Sequence, residues 1–80
     1  MNDIQVGDRV KFLANPDVDG YQYEPTDSSK IVKHLTTEDL RDQFGTVIEA
    51  RVPPMTDDVK VQLDDGRKVI TQKQFLTKGD

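Results

Sequence analysis

The residues best spaced to do chemistry lie in one stretch, ANPDVDGYQYEPTD, residues 14 to 27. Asn15, Asp17, Asp19 and Gly20 carry the spacing of the first half of an EF-hand loop, in which alternate oxygen ligands converge on calcium and a sixth-position glycine permits a sharp turn. The twelfth position decides against that chemistry. It is Thr26, which has no carboxylate to chelate the ion; Pro16 interrupts the loop, and the preceding VKFLA reads as a strand where a helix is required. Asn-Pro and Asp-Gly then read as turn formers, and no metal ligand set is assigned. What remains is a concentration of acids and rings. Tyr21 and Tyr23 are two residues apart, so an extended backbone points both to one side. With Asp17 and Asp19 they make a candidate contact surface for a basic protein or peptide partner.

Catalysis finds little to work with. The chain has no cysteine, and His34 is its only histidine, which removes thiolate chemistry and a histidine-paired zinc within one chain. Ser28 and Ser29 are too close in sequence to His34 to form a supported nucleophile and base, and no Gly-x-Ser-x-Gly elbow exists. The five glycines form neither a phosphate loop nor a dinucleotide fingerprint. His34, beside Leu35, reads as a partly buried filler, and Asp57, Asp58, Asp64 and Asp65 read as turn residues. The expectation is a non-enzymatic protein without a cofactor. A second chemistry is cationic: Arg51, Lys60, Arg67, Lys68 and Lys73 would offer phosphate contacts if they shared one face. A net charge of −4 and the lack of an interleaved ring argue against it.

These residues must be positioned by an 80-residue chain, which is one domain with a small core. Residues 4–13 place Val6, Val10 and Phe12 on one parity and Arg9 and Lys11 on the other, the period-two pattern of a half-buried strand. TVIEARV, residues 46–52, is a second β-rich run, ended by Pro53-Pro54. Val59, Val61 and Leu63 alternate with Lys60 and Gln62, and Asp64-Asp65-Gly66 supplies the turn of a tight hairpin into RKVIT. The polar QKQ predicts one helical turn, and FLT a brief closing strand. No basic segment leads into an apolar run at the start, and nowhere do 18 apolar residues run together, so the expected location is cytoplasmic.

Residues 14–44 form an excursion too long for a bare loop. Within it Thr36 reads as an N-cap, Asp39 as its capping-box partner, and Leu35 as a staple onto Leu40. With Phe44 four residues beyond Leu40 and Gly45 able to take a left-handed cap, the spacing predicts a helix of about two turns over 37–44, docked by Leu40 and Phe44. The excursion holds seven acids against three bases, whereas the rest of the chain balances eight against eight. All of the net charge therefore lies in the insertion.

The order of these elements, with a long first connection and a tight later hairpin, resembles the SH3-like small β-barrel. VGDRVKF, FGTVIEA and VKVQLDDGR are similar to the strand pattern of KOW-type barrels, with Gly45 at a strand entrance. The resemblance implies a mainly β, five-stranded barrel with an acidic, helix-containing insertion between strands 1 and 2. It also implies a binding or adaptor role. Peptide-binding SH3 domains grip basic, proline-rich ligands through acids and rings on the first loop, but this chain lacks tryptophan and the Ala-Leu-Tyr-Asp-Tyr run. A methyl-lysine cage of the Tudor type would need several converging rings, and the phenylalanines are expected in the core. KOW-like barrels commonly bind RNA or ribosomal partners, which is the implied alternative for Arg51, Lys60, Arg67, Lys68 and Lys73.

Overall fold

A computed structural model describes residues 4–13, 18–50 and 58–79. Its elements are strands β1 (Arg9–Phe12), β2 (Gly20–Glu24) and β3 (Asp27–Leu35), a single helical turn α1 (Thr37–Leu40), and strands β4 (Phe44–Ala50), β5 (Asp58–Leu63) and β6 (Lys68–Gln72). A 3-10 turn, Lys73–Phe75, then leads into β7 (Leu76–Lys78). The fold is mainly β, and all pairings are antiparallel in one sheet of order β3-β2-β6-β5-β4-β1-β7. None of the helical segments among the described residues is long and apolar enough to cross a membrane.

The sheet wraps one core. Val10, Phe12, Leu35, Leu40, Val47, Val59, Val61, Leu63, Val69 and Leu76 join Ile4 and Val18 in a single buried cluster. Strands at both ends of the order, β3 through Leu35 and β7 through Leu76, therefore feed the same interior. The sheet does not close by hydrogen bonds, because β3 and β7 stand at its two ends.

The five expected strands are present as β1, β4, β5, β6 and β7, but a five-stranded barrel is not what they form alone. The insertion contributes two more strands to the same sheet: β2 pairs with β6 as well as with β3. Its charge pattern hid them. β3 reads as polar because it is an end strand exposed along eight of its nine residues, so no apolar alternation marks it.

The β5–β6 hairpin forms as its alternation implies. Leu63 accepts the Gly66 N–H at 2.8 Å, Gly66 takes a φ of +98°, and the Leu63 N–H donates to the Arg67 carbonyl at 2.8 Å. Val6, in contrast, leaves the parity of Val10 and Phe12. It lies in a turn and is exposed, because Gly7, at a φ of +94°, hooks its N–H onto the Val47 carbonyl at 2.8 Å.

The helix is half the predicted length. Asp39 accepts the Thr36 N–H at 3.0 Å, as expected of a capping pair, and Leu35 and Leu40 are fully buried. After Leu40 the chain leaves helical geometry at Arg41, and Asp42, at a φ of +61°, takes the left-handed position expected of Gly45. Phe44 and Gly45 are already in β4. Gly45 serves close packing instead: a Cβ there would lie 2.6 Å from the Gln62 carbonyl oxygen and 2.6 Å from Val61 Cγ1.

Candidate functional site

The junction of the insertion with the sheet is built from a buried threonine, a half-buried one and a glycine. Thr71 of β6 is 3% exposed, and its hydroxyl donates to the Asp19 carbonyl at 2.6 Å. One residue earlier, the Val18 N–H donates to the Thr37 hydroxyl at 2.9 Å, tying the entry to β2 onto the start of α1. Gly20 follows, paired with Thr71 on one side and Leu35 on the other. A Cβ at Gly20 would lie 2.8 Å from Val69 Cγ1 and 3.3 Å from Leu40 Cδ1, so glycine lets β2 seat on the core. Gly20 thus makes neither the calcium-loop turn nor the local turn that Asp-Gly suggests. Asn15 and Asp17 lie outside the described residues, and no group of three or more His, Asp or Glu among the described residues could hold a metal.

With its backbone fixed, Asp19 directs its carboxylate to His34 Nε2 across the β2–β3 hairpin. Tyr21 pairs with His34 in register, and their rings stack with centroids 4.8 Å apart and planes 21° from parallel. His34 is therefore an exposed member of an Asp19-His34-Tyr21 cluster and not a core filler. Ser29 is engaged elsewhere, donating its hydroxyl to Asp27 at 2.6 Å.

The two tyrosines part company. Tyr21 is 44% exposed and Tyr23 is 4% exposed. Tyr21 is paired with Ile70 of β6, whereas Tyr23 lies past the last β2–β6 pair, Gln22 with Val69, at the point where β3 sets extra residues opposite β2, so the two rings do not share one regular sheet face. Tyr23 lies beneath Lys60, whose Nζ is 5.5 Å from the ring centroid, and burial raises the phenol above its ordinary value, with the charge of Glu49 adding to the effect. Tyr23 is a packing residue.

Two hollows flank Asp19. The larger, about 490 Å³, is lined by Val18, Asp19, Thr36, Thr37, Glu38 and Phe75. The smaller, about 120 Å³, is lined by Asp19, Tyr21, Asp58, Ile70, Thr71, Gln72 and Phe75. Asp19 and Phe75 belong to both, forming a ridge between them. Among the described residues the walls carry three carboxylates, two rings and no lysine or arginine. Glu38, Asp58 and Phe75 were not legible as site residues. Glu38 reads as a helix-dipole acid, Asp58 as a turn residue and Phe75 as core, and only the fold brings them to Asp19. Phe75 is half-buried, as is Phe44, which lies under Arg9 and Lys11 with cation-to-centroid distances of 5.3 and 5.6 Å.

The cationic set does not converge. Arg51 lies outside the described residues. Lys60 and Lys68 line one hollow of about 290 Å³ with Glu49 and Asp27, and Lys60 pairs with Glu49 at 3.2 Å. Arg67 is held in its own turn by Asp65, Nε to Oδ2 at 2.8 Å, which keeps the Asp65 carboxyl below its ordinary range through the backbone N–H and the guanidinium together. Lys73 follows the far end of β6, about 16 Å along the chain from Lys68 at strand rise. Comparison with protein-family models, with curated proteins and with solved structures gave no match.

Proposed function

We propose that this protein is a small non-enzymatic binding module of the SH3-like type that contacts a basic segment of a protein partner at the ridge formed by Asp19 and Phe75. The carrying observation is the pair of hollows that share these two residues and are walled by Asp19, Glu38 and Asp58, with Tyr21 and Phe75 as the rings. Carboxylates beside aromatic faces suit lysine and arginine, which take both ion pairing and cation–π contact. The smaller hollow is below the roughly 300–1,000 Å³ of a small-molecule site, and it suits one side chain of an extended segment. The order β6-β5-β4-β1-β7, the tight β5–β6 hairpin and the 3-10 turn before the last strand support the SH3-like reading. On that reading the β2–β3 hairpin is the first loop grown into strands.

The test is titration of the ¹⁵N-labelled protein with a blocked octapeptide of alternating lysine and alanine. Expected are saturable shifts at Val18–Tyr21, Glu38 and Phe75, lost in the Asp19→Lys variant. Shifts spread over all acidic residues, or unchanged by Asp19→Lys, refute the site.

A further inference from the structure

A different surface, the outer edge of β3, has the features of a second docking site. The sheet has two ends, and they are treated differently. β7 is three residues long, which leaves little edge to pair with, whereas β3 runs nine residues with a neighbouring strand on one side only. An edge of that length presents unpaired N–H and C=O groups to any extended segment. It also presents apolar surface. Ile31 and Val32, consecutive on this strand at its register shift against β2, are 49% and 53% exposed.

Charge selects the occupant. Although the insertion as a whole is acidic, β3 carries Lys30 and Lys33 around its apolar pair, with Asp27 as its only acid. Asp27 is engaged by Ser29, whose hydroxyl and N–H it accepts at 2.6 and 3.1 Å. Neither lysine forms an ion pair among the described residues. Lys33 is felt through space by Asp39. The edge is thus a cationic strip on a protein of net charge −4. A basic segment is repelled from it, and a second copy would bring its own Lys30 and Lys33 to the same edge.

We infer that the β3 edge accepts an extended acidic segment of a protein partner as an eighth strand, with apolar residues against Ile31 and Val32 and carboxylates on Lys30 and Lys33. Main-chain pairing supplies the attraction and the flanking charges the choice of partner. The site is separate from the Asp19 ridge, where the opposite charge is wanted.

The experiment titrates the ¹⁵N-labelled protein with the blocked octapeptide Asp-Asp-Val-Ile-Val-Val-Glu-Asp, and with its counterpart in which every acid is lysine. Expected are saturable shifts of the amides of residues 30–35 with the acidic peptide alone. In the variant Lys30→Glu/Lys33→Glu, binding weakens about tenfold or more, since two attractions become repulsions, while Lys73→Glu, outside β3, leaves it unchanged. The proposal fails if millimolar acidic peptide shifts nothing at β3, or if the lysine peptide does as well. It fails equally if charge reversal leaves the affinity unaltered, or if the same amides shift with protein concentration alone, which would assign the edge to a second copy.

Discussion

Replacing Gly45 by alanine tests whether β4 lies as close to β5 as described. The new Cβ would sit 2.6 Å from the Gln62 carbonyl oxygen and 2.6 Å from Val61 Cγ1, with the Gln62 carbonyl carbon at 3.2 Å. Rotating a side chain can relieve only the Val61 contact. Gln62 is mid-sheet, paired with Thr46 of β4 and Lys68 of β6, so its carbonyl moves only if the strands separate. Overpacking of this kind costs about 1–3 kcal/mol, and the reduced freedom of the unfolded chain returns about 0.4–1 kcal/mol. The net expectation is a loss of about 1–2 kcal/mol. With a urea slope near 1 kcal/mol per M for a chain of this size, the unfolding midpoint followed by far-ultraviolet circular dichroism drops by about 1–2 M. Gly20→Ala is the internal comparison. Its new Cβ meets side-chain atoms, Val69 Cγ1 at 2.8 Å and Leu40 Cδ1 at 3.3 Å, which can yield in part. A midpoint for Gly45→Ala within error of the wild type, or a smaller loss than for Gly20→Ala, would refute the packing argument.

Two pH-linked predictions follow from single residues. The Thr36 N–H, the largest influence on Asp39, holds its carboxyl below the usual range. Its contribution is complete above the unfolded carboxylate value of about 3.9 and is lost as pH falls through the lower native value. Asp39→Asn should therefore lower the melting temperature at pH 7, with the difference from wild type closing at acid pH; a difference independent of pH counts against the capping role. Burial raises the Tyr23 phenol, so its contribution is complete below the unfolded value of about 10 and is lost as pH climbs toward the native one. Tyr23→Phe should flatten the alkaline fall in stability measured by urea unfolding between pH 9 and 11, and an unchanged alkaline slope would place that ring in water.

The Asp19 ridge joins parts of the chain that are remote in sequence. Asp19 and Tyr21 were legible because acids and rings are crowded there, while Glu38, Asp58 and Phe75 reach the same ridge through the seating of α1, β5 and the 3-10 turn. His34 was misread because its neighbour Leu35 is buried. The parity of an end strand puts His34 outward, where it meets Tyr21 and Asp19 across the hairpin. Among the described cations of that set, Lys60 and Lys68 are gathered into one hollow, because strand pairing fixes which outward side chains become neighbours.

The β5–β6 hairpin, the start of α1 and the closing 3-10 turn and strand follow from local chain order, because period-two alternation, turn chemistry and capping are properties of a few adjacent residues. Tertiary structure alone decided that the insertion joins the sheet as β2 and β3, that α1 stops after one turn, and that Tyr21 faces water while Tyr23 is buried. Each of these depends on pairing between distant segments. Tyr23 lies past the last β2–β6 pair, where β3 sets extra residues opposite β2, and the contact of Gly45 with β5 commits Phe44 to a strand before a second helical turn can form.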